Sequence, residues 1–149
     1  MFPDSEARII EGDKVYSFGD VAGGNHPEFF EDFDVAYTVL NLSLAIHTGV
    51  ALERVGIESG PSIYIEGGFS KNDVYTKLLA SMYPSSRVAL TNLNEATAFG
   101  AALLAKSAIE QKTPADIGDT FDIETKQISP ITLKGLSEYA DEFLKRIKM

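Results

Sequence analysis

The chain has 149 residues, and its 44% hydrophobic and 23% charged residues suit one globular domain with a packed core and not a disordered chain. A net charge of −9 repels phosphate backbones, which argues against nucleic acid as a partner and leaves the charge as a solubility device. The absence of cysteine excludes disulfides and thiolate metal sites and suits a cytoplasmic location.

In chain order, the acidic start Met1-Phe2-Pro3-Asp4-Ser5-Glu6 lacks the basic and apolar regions of a signal peptide. Residues 7–18 hold two short β-prone runs around Gly12-Asp13, the pattern of a hairpin. Residues 19–32, rich in Gly, Asn, Pro and acids, read as loop. A long helix is expected over 34–55 from Val39, Leu42, Leu44, Ile46, Val50 and Val55. These positions surround most of its circumference, so burial on more than one side is expected. No apolar run approaches the length that spans a bilayer, so no membrane partner is expected. Gly56 and Gly60-Pro61 end the helix.

Ser62-Ile63-Tyr64-Ile65-Glu66 reads as strand, broken by Gly67-Gly68, with a helix from 71 to 83 behind it. Arg87-Val88-Ala89-Leu90 is a second strand, and Asn94 is placed to cap a helix over 95–110. Strand, helix, strand, helix in this order predicts a βαβα unit with a parallel pair, an α/β fold. Residues 112–120 read as linker and Phe121-Asp122-Ile123-Glu124 as a short strand. Residues 133–147 read as an amphipathic helix presenting Leu136, Tyr139, Phe143, Leu144 and Ile147.

Chemistry concentrates in Ile65-Glu66-Gly67-Gly68-Phe69-Ser70-Lys71-Asn72-Asp73. Two glycines after a strand turn the backbone sharply and expose N–H groups without Cβ obstruction, and a side chain at Gly68 is expected to block that approach and to disfavour a positive φ. The following helix adds free N–H groups and the positive end of its dipole, where a phosphate can sit. Ser70 and Asp73 have capping-box spacing, which sets the expected helix start. Asn72 offers an amide suited to a purine edge or a ribose. An ordinary tight turn before a capped helix explains the same residues, since short glycine motifs recur without a ligand. In the later segment 94–105, Ala98, Ala101, Ala102 and Ala105 share one helical face that admits another backbone closely or simply packs tightly in a core. Gly100, at a cost of about 1 kcal/mol in a helix, points to close contact or hinge motion.

Together, strand, Gly-Gly-x-Ser-x-Asn, helix, strand and Glu95-Ala96-x-Ala98-x-Gly100-Ala101-Ala102 resemble the FGGY carbohydrate kinases, in order and spacing over Ile63 to Ala105. The helix before them and the ending Ile131-Thr132-Leu133-Lys134-Gly135-Leu136 are also similar to that family. The resemblance implies an actin-like, ribonuclease H-like ATPase fold in which two domains close over sugar and MgATP. Residues 1–33 are then the hairpin-and-loop remnant of a larger domain, and 34–149 the C-terminal portion of the nucleotide-binding domain. It maps Gly67, Gly68, Phe69, Ser70 and Asn72 onto adenosine-contacting positions and the Ala/Gly helix onto the domain hinge. Phe69 departs from the Gly or Ala usual there, which bears on the fit of adenine. ATP or ADP is the implied ligand, with Mg²⁺ ligands and the sugar contacts expected outside this chain.

The family's Asp-x-Gly phosphate motif, its second phosphate motif and its catalytic Asp have no counterpart here, so no catalytic residue is assigned and the chain alone is expected to be inactive. Gly19-Asp20-Val21-Ala22-Gly23-Gly24 lacks the strand context of a phosphate loop. Asp20, Asp32 and Glu95 are read as surface or capping carboxylates, not as a base. His26 and His47 are too few and too separated for a metal site or a nucleophile–base pair. An apolar surface left for missing sequence predicts self-association, through the Ala98/Ala102 helix or an open strand edge. A regulatory ATPase of the actin/Hsp70-like group, or an interaction module without a nucleotide site, remains open beside the kinase reading.

Overall fold

The structure, a computed structural model, describes residues 9–57, 60, 62–93, 95–118 and 120–147. It separates into two compact units, Met1–Leu40 and Asn41–Met149. In the first, β1 (Ile9–Glu11) and β2 (Lys14–Tyr16) pair antiparallel with Glu11 opposite Lys14. The loop between them is therefore Gly12-Asp13, with Gly12 at φ +58°, the glycine-first form of a two-residue hairpin. The segment expected as loop from residue 19 instead holds a short helix, α1 (Phe18–Ala22), and a 3₁₀ turn at Glu28–Glu31. A reciprocal capping box makes α1 possible: Ser17 Oγ accepts from Asp20 N–H while Asp20 accepts from Ser17 N–H at 2.7 Å. The Ser17 hydroxyl, which donates to Asp20 Oδ2 at 2.6 Å, and then the Ser17 N–H hold the Asp20 carboxyl below its usual range.

The long helix, α2 (Phe33–Arg54), closely matches its expected span, and the boundary between the units falls within it. Burial on more than one side is seen in its second half, where Asn41, Ala45, Ile46 and Gly49 are buried and Leu42, Leu44 and Leu52 pack half-buried against the core; in the first half Phe33, Val35, Tyr37 and Leu40 are exposed. By length and composition α2 is also apolar enough to cross a membrane, which corrects the reading that no run reaches that length. A core helix passes the same test, and Ala45 is a member of the second unit's core.

That core forms where the expected βαβα unit folds. The strands are β3 (Ile63–Ile65) and β4 (Val88–Thr91), parallel with Ile63 opposite Val88 and Ile65 opposite Leu90. Between them lie a 3₁₀ turn at Gly67–Lys71 and α3 (Asp73–Met82); α4 (Ala96–Glu110) follows β4. Ile63, Ile65, Val88, Tyr75, Leu78 and Leu79 pack with Ala45 in one apolar cluster, whereas Tyr64, on the opposite side of β3, is half-exposed.

The third strand is not at 121–124 but at β5 (Thr125–Gln127), antiparallel to β4 with Thr91 opposite Thr125. Arg87 anchors it by donating to Thr125 Oγ1 at 2.6 Å. The expected linker contains a helix, α5 (Pro114–Gly118), begun by Pro114 and by a Thr113–Asp116 capping box, and seated by buried Ile117. The terminal helix is α6 (Leu136–Ile147), whose Phe143 meets His47 edge-on at 5.5 Å. Ser81 ties the tail to α3, donating to Ile131 C=O at 2.8 Å and accepting from Ile131 N–H at 2.9 Å.

Candidate functional site

Parallel strands deliver backbone and side chains to a crevice beyond their carboxyl ends, where ligands bind in open α/β sheets. Here that end holds Glu66 and the glycine turn after β3, with Thr91 at the end of β4. Gly67 adopts φ +68°, so the positive-φ position falls on Gly67 and not on Gly68. A Cβ built on either glycine meets nothing within 4 Å, so the space over the turn is open for a ligand to approach.

The turn differs from the expected helix start. Ser70 is not the cap: its hydroxyl donates to Gly67 C=O at 2.7 Å and closes the 3₁₀ turn. The helix begins at Asp73, with Asn72 as N-cap accepting from Tyr75 N–H at 3.0 Å. Asn72 Nδ2 donates in turn to Asn41 Oδ1 at 2.7 Å. The α3 terminus is thus capped by Asn72 at Tyr75 N–H, and the first N–H groups of the preceding 3₁₀ turn have no acceptor within that turn. Phe69 rests on Tyr75 with ring centroids 4.8 Å apart and stays half-exposed. All five expected residues, Gly67, Gly68, Phe69, Ser70 and Asn72, therefore lie in one connected turn.

Sequence reasoning missed three partners. Glu66 accepts from Thr91 Oγ1 at 2.5 Å, while its other carboxylate oxygen is buried without a partner, a costly state for a polar atom. Polar residues at the ends of two paired strands were the available signal. Asn41, fully buried, is the third. Its signal was a lone amide between apolar turns of a helix.

The second segment lies differently. α4 has no buried residue, and a Cβ on Gly100 meets nothing within 4 Å. The face carrying Ala98, Ala101, Ala102 and Ala105 is exposed, so tight core packing does not account for it. The helix is tethered through Phe99, edge-on to Phe121 at 5.0 Å. The Asn94 cap lies outside the described residues. Among the described residues no group of three His, Asp or Glu could hold a metal ion. A cleft of about 600 Å³ at the other end of α3 is lined by Ile46, Glu53, Met82, Tyr83 and Leu144. It holds no cationic side chain and does not suit a phosphate.

Residues 22–114 match the family described as carbohydrate kinase FGGY, C-terminal domain. Among solved structures the chain is similar to that of a carbohydrate kinase from Novosphingobium aromaticivorans, at 20% identity and a TM-score of 0.59, over 91% of this chain and 24% of that one. The chain thus spans about a quarter of the length of that kinase. No curated protein matches it.

Proposed function

Because the chain belongs to the FGGY carbohydrate kinase C-terminal domain family, we propose that it is the ATP-binding portion of a sugar kinase with an actin-like ATPase fold. The whole enzyme would transfer the γ-phosphate of ATP to a carbohydrate hydroxyl. The observation that carries this reading is the open glycine turn at the carboxyl end of the parallel β3–β4 pair, with no Cβ and no neighbouring atom over Gly67 or Gly68. Gly67, Gly68 and Phe69 would present backbone N–H groups to the nucleotide. Phe69 adds an exposed ring edge beside it, Ser70 holds the turn closed, and Asn72 sets where α3 begins. MgATP supplies the phosphoryl group and its charge neutralisation, and phosphoryl transfer further requires a positioned base. Among the described residues no metal cluster is found, and no catalytic base is assigned; on this reading Mg²⁺ ligands, base and sugar contacts would come from other parts of the enzyme. On this reading the whole enzyme would work in the cytoplasm, without nucleic-acid or membrane partners.

Titration of the chain with ADP, followed by amide NMR, tests the site. Shifts clustered at residues 66–73 are expected. Their absence at millimolar ADP overturns the nucleotide reading and favours an interaction module. A coupled ADP-release assay with a panel of ketoses tests the division of labour. Sugar-dependent turnover by this chain alone would contradict it.

A further inference from the structure

We infer that Asn41, on α2, is a positioning residue for the nucleotide turn. It acts by fixing which way the Asn72 amide faces. The inference rests on the nucleotide reading of the Gly67–Asn72 turn.

An asparagine cap works in one orientation only, because its oxygen accepts a backbone N–H whereas its NH₂ would oppose it. At Asn72 the oxygen must face Tyr75 N–H, at 3.0 Å, which leaves Nδ2 facing α2. There it meets Asn41 Oδ1 at 2.7 Å, across 31 residues of sequence. A flipped Asn72 amide would lose both bonds at once. Asn41 is fully buried, so its acceptor is held away from solvent. A second link runs parallel to the first: Thr48 Oγ1 lies 2.9 Å from Tyr75 Oη, and the Tyr75 ring carries Phe69. One face of α2 thus holds both the cap residue that ends the turn and the ring on which the turn's Phe69 rests. A five-residue 3₁₀ run is longer than such helices usually sustain; Ser70 closes it from within, and these two links orient it against α2.

The test is a double-mutant cycle between Asn41→Leu and Asn72→Asp. Leucine keeps the branched shape and the number of heavy atoms and removes the acceptor. Aspartate at 72 caps with either oxygen, so its capping does not depend on orientation. In the unaltered background, Asn41→Leu should speed exchange of the Tyr75 amide by about fivefold, the scale of a lost cap. It should also raise the Kd for ADP by roughly tenfold as the turn loses its fixed geometry. In the Asn72→Asp background both effects should shrink to within about twofold, the scatter of independent sites. A core residue with no positioning role would lower the melting temperature equally in both backgrounds and leave the ADP Kd alone, and that result overturns the inference. If Asn41→Leu does not fold, Asn41→Ser, whose shorter hydroxyl stops short of Asn72, carries the same cycle. ADP binding by the unaltered chain that Asn41→Leu leaves unchanged overturns the positioning role alone. No ADP binding by the unaltered chain overturns the nucleotide reading and the inference with it.

Discussion

The two adjacent glycines separate a turn that only shapes the chain from one that receives a ligand, because their backbones differ. Gly67 sits at φ +68°, where a side chain costs roughly 1–2 kcal/mol. Gly67→Val should therefore lower folding stability by about that amount, whatever the turn binds. Gly68 is not in that region, and its Cβ would meet nothing within 4 Å. Gly68→Val should thus change stability by no more than about 0.5 kcal/mol, since the loss of chain entropy in the unfolded state offsets the cost of a β-branched residue in a helical turn. Its two methyl-bearing branches project into the space from which a phosphate would reach the N–H groups of the turn. Each charge-assisted hydrogen bond lost costs about 1.5–3 kcal/mol, or roughly 10- to 100-fold in Kd. Urea unfolding and ADP titration on the same three proteins separate the effects. A Gly68→Val chain that binds ADP as the unaltered chain does refutes the assignment of the turn as the nucleotide contact. A Gly68→Val chain as unstable as Gly67→Val refutes the claim that the space above Gly68 is free.

Three further outcomes are expected. Leu79 is 1% exposed in the apolar cluster, so Leu79→Ala should cost about 2–5 kcal/mol in urea unfolding. A value near zero would mean that α3 is not seated on the sheet as described. Burial, and then the charge of Glu53, push the Tyr83 hydroxyl above its ordinary value of 10.0. A folded value raised in this way gives stability that is complete below pH 10.0 and falls as pH rises through the folded value. Tyr83→Phe should flatten part of that alkaline loss while costing about 1 kcal/mol at neutral pH for the bond donated to Gly49 C=O. Tyr139, which burial raises in the same direction, adds to the slope. An unchanged slope in Tyr83→Phe would show that the phenol titrates as if in water. On α4, Leu104 is 62% and Ile109 83% exposed, and light scattering over a range of concentrations should show self-association that Leu104→Glu reduces. A strictly monomeric unaltered chain would contradict it.

Periodicity and punctuation in the sequence determined the elements that are long or strongly patterned. The 22-residue helix, the Ile-Tyr-Ile strand, the glycine break and the parallel pair all follow from which residues alternate and where Gly stands. The two short helices α1 and α5 were legible only through their capping boxes, Ser17–Asp20 and Thr113–Asp116. Five residues carry too little periodicity to announce a helix, and a cap is what makes so short a piece form. Other features were decided by tertiary structure. Thr125-Lys126-Gln127 has no apolar alternation, and it becomes a strand because β4 offers an unpaired edge and Arg87 a partner. The start of α3 moved from Lys71 to Asp73 because the cap is chosen by geometry as well as residue type. Ser70 spends its hydroxyl inside the turn, and Asn72 is held by Asn41. No local pattern links residues 41 and 72, because a hydrogen bond between side chains depends on how two helices pack and not on the spacing along either one.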